Sequence, residues 1–196
     1  MKLKNPLIEM RIRNDAGLRN ALGATFGMTR TKQDGSPKHH AGWDLVAREG
    51  TPCYAIGSGV IVLIEKFNGY GRSILLQFNR SGPENQSNAR TAYAFYAHLQ
   101  EASVKAGQHV KAGEMIGKTG IDGNAESAYP HLHFEIWTNP DPKKVLGQQG
   151  RYRLDPGEVL GYAHLSCKSE EIAPGLDTVK AVCFQPVLGN VIGNPF

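Results

Sequence analysis

An all-β fold is what this sequence predicts, and three observations carry that reading. Glycine and proline are in excess, at 23 and 11 of 196 residues, which argues for many turns joining short strands. From residue 51 onward, β-branched, apolar and aromatic runs alternate with turn signals. No segment sustains the 3.6-residue apolar period of a long helix.

Taken in order, residues 1–23 form a lead-in segment. Residues 18–22 make a helical turn or two there, kept short by the glycines at 17, 23 and 27. Residues 31–43 (TKQDGSPKHHAGW) are polar and rich in glycine and proline, and read as a loop. Residues 54–67 (YAIGSGVIVLIEKF) are a strand with a bend or bulge at Gly57 and Gly59. NGYG at 68–71 turns the chain into a second strand, RSILLQF, and the polar stretch 80–90 is a long surface loop. TAYAFYAHL (91–99) is a third strand. In 104–120 (VKAGQHVKAGEMIGKTG), glycines at 107, 113, 117 and 120 set a rhythm of short strands and tight turns. HLHFEIW (131–137) is another strand, and 153–162 (RLDPGEVLGY) is expected to pack back onto the core. The main domain spans 24–160, followed by an extension, 161–196, to which pattern assigns no role.

The chain is long enough to bury a core without needing disulfides or a metal to fold. Its net charge of +4 suits an anionic polymer. With no Lys/Arg run of five and no nucleic-acid motif, nucleic acid is not the expected partner. No apolar stretch approaches the roughly 20 residues of a membrane span. The first residues lack an apolar signal core, so no Sec leader is expected in this chain, and the export route stays open. Of three cysteines, Cys53 reads as a buried apolar residue, while Cys167 and Cys183 are either a disulfide or two thiols.

Two histidine pairs carry the chemistry. His39 and His40 precede Asp44 in HHAGWD, and His131 and His133 flank Leu132 in HLHFE. Side chains at i and i+2 of a strand share a face, so His131 and His133 emerge side by side. The HxxxD spacing lets His40 and Asp44 converge across a turn from which Gly42 removes a side chain. With His133 they supply two nitrogens and one oxygen, a set that suits Zn²⁺ with one coordination position open. Such an ion brings a water's pKa to roughly 7 and polarises a scissile carbonyl. His98 and His131 remain near this set. One could accept a proton while the pair steadies an oxyanion or protonates the leaving amine, and the spacing does not say which does which.

These phrases, in this order, resemble the M23 peptidase family, the lysostaphin and LytM-type zinc endopeptidases. The resemblance runs through FGMTR (26–30), HAGWDLVAREGTPCYAIGSGVIV (40–62), GYGRSILLQF (69–78), YAHL (96–99), VKAGQHVKAGEMIGKTG, HLHFEIW and LDPGEVL (154–160), covering about residues 24–160. It implies an antiparallel β-sheet core with a groove walled by loops. It also implies His40, Asp44 and His133 as ligands of one Zn²⁺, His98 and His131 as catalytic histidines, and peptidoglycan peptides as substrate in the periplasm or cell wall. The chain departs from the family pattern at 80–90, which looks like an insertion, and at 121–130 (IDGNAESAYP), so both D-alanyl-diaminopimelate cross-links and glycyl bridges stay open as targets. The direct cross-link is the preferred expectation.

The other residues read more plainly. His39 is expected to face solvent, with His109 and His164 on the surface, while Trp43, Tyr96 and Trp137 belong to core or groove wall. Glu135 shares the face of His133 and is either an acceptor for that imidazole or an ordinary strand carboxylate. The rival function is a non-catalytic regulator that binds and activates another wall hydrolase. If the chain is an antibacterial effector or lysin, a cognate inhibitor or a secretion machine is the expected partner.

Overall fold

The computed structural model describes residues 3–13, 21–80, 90–127, 130–148, 150–164 and 184–186. Strands dominate these residues, and the two α-helices are short: α1 (Pro142–Val145) and α2 (Pro156–Leu160). Both begin in the same way. Asp141 and Asp155 cap them, each accepting a backbone N–H two residues on, and proline fills the first helical position. No helix among the described residues is long and apolar enough to cross a membrane.

The strands are β1 (Gly27–Thr31), β2 (Pro37–His40), β3 (Trp43–Val46), β4 (Pro52–Tyr54), β5 (Gly59–Phe67), β6 (Gly71–Arg80), β7 (Arg90–Ala97), β8 (Leu99–Ala102), β9 (His109–Val110), β10 (Met115–Thr119), β11 (His131–Trp137), β12 (Arg153–Leu154), β13 (Tyr162–His164) and β14 (Phe184–Pro186). The main sheet runs β12-β11-β7-β6-β5-β9, with β3 sharing the β12 edge of β11. A smaller sheet, β4-β10-β8, packs against it, and every pairing in both is antiparallel.

Several expectations shift in detail. The loop expected over 31–43 contains β2, which pairs with β1 as a hairpin. Polar residues pair there because the turn between them is closed by its own backbone, Gly35 N–H donating to the Lys32 carbonyl at 3.0 Å. The strand expected over 54–67 breaks before Gly59, where an added Cβ would stand 1.8 Å from the Gln77 carbonyl oxygen, so β6 can approach closely. The strand expected over 91–99 stops at Ala97 because His98 takes a positive φ of 60°. Around residues 18–22, the described part is a 3₁₀ turn over Ala21–Ala24. The proposed loop 80–90 falls largely outside the described residues, as do Cys167 and Cys183.

Two apolar clusters hold the sheet. The larger gathers Trp43, Leu45, Ile61, Ile74, Tyr96 and Phe134 on one face, and the smaller stacks Phe95 on Trp137 at 4.4 Å on the other. Residues 3–13 belong to the packed unit. Leu7 and Ile12 are buried in the larger cluster, and Val46 N–H donates to the Arg11 carbonyl at 2.9 Å. Leu160 of α2 joins the same cluster, so 153–162 does fold back onto the core. Cys53 is a buried free thiol whose ionisation burial suppresses.

Candidate active site

Strand β11 organises the site. All seven of its residues are buried, and it lies between β3 and β7, so His133 pairs with Asp44 on one side and Ala97 on the other. His131, His133 and Glu135 share its face by strand parity. Asp44 comes from β3 and His40 from the end of β2, two strands joined by the tight Ala41–Gly42 link. Gly42 matters for closeness as well as for turning: a Cβ there would sit 2.1 Å from the Phe134 carbonyl oxygen. His98 follows β7 immediately. Its left-handed backbone, uncommon for a residue with a side chain, turns its ring back towards β11.

These five side chains, expected from sequence to work together, are all buried and line one cleft of about 380 Å³. His40 Nε2, His133 Nδ1 and Asp44 Oδ1 point at one another, with separations of 3.4, 2.7 and 3.3 Å. Ligands around a tetrahedral zinc stand roughly 3.3–3.6 Å apart, given Zn–N and Zn–O lengths of about 2.0–2.2 Å. The donor set therefore fits zinc, with only the His133–Asp44 pair needing to spread.

The remaining polar atom of each donor is occupied by protein. His40 Nδ1–H donates to the Thr25 carbonyl at 2.9 Å, leaving Nε2 bare. Asp44 Oδ2 accepts from Arg30, which also donates to the Gly23 carbonyl. His133 Nε2–H donates to Glu135 Oε1 at 2.8 Å. Glu135 Oε2 in turn accepts from Trp137 Nε1 and Arg153 Nε, both at 2.6 Å. Such partners fix which imidazole nitrogen is free and where it points.

The electrostatics follow from crowding charges out of water. Burial opposes ionisation of Asp44, but His40 charge and the His133 and His40 hydrogen bonds hold it well below the usual carboxylate range. Burial likewise opposes charge on His133, yet bonds to Asp44 and Glu135 win and raise it to about 9. Glu135 is lowered to about 2, its burial outweighed by His133 and then Arg153. His98 is pushed down to about 3 by burial and by the neighbouring His133 and His131, which keeps it neutral. The site thus attracts positive charge between Asp44 and Glu135 and holds a neutral imidazole across the cleft.

The structure corrects the expectation for His39, which is half-buried with its ring edge-on to Phe26 at 4.9 Å, on the cleft rim. His109 is exposed as expected, and Trp43, Tyr96 and Trp137 are core. Four contributors were not anticipated as site residues: Arg13, Arg30, Tyr70 and Arg153. Arg30 closes the FGMTR phrase, a signal that was available. Arg153 opens RLDPGEVLGY beside the LDPGEVL phrase, whereas Arg13 sits in a stretch with no distinguishing pattern.

The comparisons with known proteins agree with this geometry. The profile described as Peptidase family M23 matches residues 38–145. The peptidoglycan DD-endopeptidase ShyC of Vibrio cholerae is 37% identical over 105 residues, which is 54% of this chain and 22% of that protein. The glycyl-glycine endopeptidase ALE-1 of Staphylococcus capitis is 37% identical over 101 residues, 52% of this chain and 25% of that one. The chain thus matches about a quarter or less of the length of these curated relatives. Among solved structures, the catalytic domain of lysostaphin from Staphylococcus simulans is 30% identical, with a TM-score of 0.50 over 70% of this chain and 88% of that domain. A zinc-containing peptidase from Vibrio cholerae shares the fold, with a TM-score of 0.54 at 22% identity over 79% of this chain and 39% of that one. Profile, relatives and fold converge: this chain belongs to peptidase family M23.

Proposed function

We propose that the chain is a zinc-dependent endopeptidase that hydrolyses peptide bonds in peptidoglycan stem or cross-link peptides. The observation that carries this reading is the convergence of His40 Nε2, Asp44 Oδ1 and His133 Nδ1 in a cleft that also holds two further histidines. His40, Asp44 and His133 would hold the ion, which supplies Lewis acidity that polarises a carbonyl and brings water's pKa towards neutrality. His98 and His131, with ring centroids 4.7 Å apart, move the protons. One imidazole takes the proton of the attacking water as the C–O bond forms. The other donates to the carbonyl oxygen, and the captured proton goes to the amine as the C–N bond breaks. The buried walls keep bulk water from competing for these hydrogen bonds.

The substrate part of the proposal is supported by relatives of both bond types, one named a DD-endopeptidase and one a glycyl-glycine endopeptidase. The test is mass spectrometry of muropeptides after incubation of purified sacculi, direct and glycine-bridged, with the zinc-loaded protein. New termini that vanish on chelation and in His133→Ala are expected, and they name the bond. Intact digests from both wall types with zinc bound would overturn the peptidase reading and leave the regulator.

A further inference from the structure

We propose that Arg13 is a positioning residue: it holds His131 in the tautomer whose proton sits on Nε2, so that His131 meets the substrate as a hydrogen-bond donor while His98 meets it as an acceptor. The catalytic consequence rests on the peptidase reading above, but the tautomer does not.

The argument is one of donors and acceptors. Arg13 Nη1 lies 2.9 Å from His131 Nδ1, and the same nitrogen is 3.4 Å from Nε2. A guanidinium has five N–H donors, no acceptor, and does not give up its proton in a protein. The ring nitrogen that takes this contact must therefore be bare, and the shorter distance selects Nδ1. A neutral imidazole bare at Nδ1 carries its proton on Nε2. His98 is fixed the opposite way. Its Nδ1 lies 2.8 Å from the Asp122 carbonyl oxygen, which only accepts, so Nδ1 carries the proton and Nε2 is bare. Two rings lining the same cleft thus present opposite faces. His98 Nε2 is the acceptor for the proton of the attacking water, and His131 Nε2–H is the donor for the carbonyl oxygen as it gains charge.

Arg13 is built into this place. Its backbone N–H donates to the Asp44 carbonyl at 2.9 Å, and Ile12, fully buried, bridges Leu45 in β3. The segment thus lies along the strand that carries Asp44, and the Arg13 side chain is itself buried. Burying a guanidinium is costly unless its N–H groups are bonded, so its position is specified rather than incidental. It also lies outside residues 38–145, where the family profile matches.

The experiment uses the full zinc-loaded chain with ¹⁵N-labelled histidine, reading each tautomer from ring nitrogen shifts. The expected result is His131 bare at Nδ1 and protonated at Nε2, with His98 reversed. Arg13→Met should mix the His131 tautomers and lower kcat about 10- to 100-fold with KM and zinc content unchanged. Arg13→Lys, which keeps a donor-only group, should restore the tautomer and most of kcat. A wild-type His131 protonated at Nδ1, or a Met variant with unchanged spectrum and kcat, overturns the proposal. If Arg13→Met does not fold, the wild-type and Lys spectra still decide. Failure of the wild type to cleave any sacculus would sink the peptidase reading, while the spectrum would still rule on Arg13.

Discussion

Replacing Glu135 by glutamine keeps the volume of the side chain and removes its charge, and the structure says where the damage falls. Donors converge on this carboxylate: His133 Nε2 on Oε1, Trp137 Nε1 with Arg153 Nε on Oε2, and the Tyr70 hydroxyl beside them. An amide has one acceptor end. Turning it towards Trp137 and Arg153 satisfies two donors and sets its NH₂ against His133 Nε2–H, so His133 must surrender that proton and carry it on Nδ1. That is the nitrogen aimed at His40 and Asp44, and a protonated nitrogen binds no metal. Zinc affinity should therefore fall about 10- to 100-fold, the usual effect of removing an orienting partner. Arg153 keeps the Val145 and Gln148 carbonyls, so the stability loss should stay near 2–3 kcal/mol, below that of an orphaned buried charge. For a chain of this size that is a fall in Tm of roughly 4–12 °C. Competition against a chromophoric chelator measures the first effect and calorimetry in EDTA the second. A variant that loses the stability but binds zinc as tightly as wild type would refute the argument that Glu135 works through the His133 tautomer.

Two further predictions follow from the same geometry. The first concerns protons competing with zinc. His133, raised to about 9 between Asp44 and Glu135, stabilises the chelated fold fully below its unfolded pKa near 6.5 and loses that contribution as pH rises through 9. Glu135, depressed to about 2, contributes above its unfolded value of 4.5 and fades as pH falls towards 2. In EDTA the Tm should accordingly peak between about pH 4.5 and 6.5, and the increment from added zinc should grow from pH 6 to 9. A zinc increment independent of pH in calorimetric scans would contradict this. The second is Gly42→Ala. Its Cβ would collide with the Phe134 carbonyl oxygen at 2.1 Å and Glu135 Cγ at 2.8 Å, so β3 must move from β11. A loss of about 3 kcal/mol or more with weakened zinc binding is expected, and a Tm within 2 °C of wild type would count against it.

The parts of the site that lie on regular strands were legible because strand parity fixes direction. Knowing that 131–137 is a strand places His131, His133 and Glu135 on one face, and the HxxxD phrase joins His40 to Asp44 across a two-residue link. The His98 backbone was not legible. Nothing in YAHL announces a positive φ, since histidine normally continues a strand, and the conformation follows from tertiary bonds to Tyr70 and Asp122 carbonyls. The β1–β2 hairpin was missed for a related reason: TKQDGSPKHH has loop chemistry, and its strand pairing is imposed by the Lys32–Gly35 turn rather than by alternating apolar residues. Arg13 and Arg153 were invisible because they act over 118 and 18 positions of sequence, through side chains of a type abundant on any basic surface.

Arg30 and Arg153 share a logic that accounts for their identity. Each buried carboxylate of the site divides its oxygens. Asp44 gives Oδ2 to Arg30 and turns Oδ1 to the histidines, and Glu135 gives Oε2 to Arg153 and turns Oε1 to His133. Two uncompensated carboxylates in so small a volume would protonate or drag water in. A cation set against the near oxygens would instead compete with the metal for them. Setting the guanidiniums on the far oxygens neutralises the carboxylates from behind and leaves their near oxygens facing the imidazoles. Lysine would serve poorly in that role, because a single ammonium cannot serve Glu135, Val145 and Gln148 as one planar fork does. Arg13 and Arg153 lie outside 38–145, as does Arg30. The matched segment thus carries the donors, and the flanking strands carry the charges that make their burial tolerable.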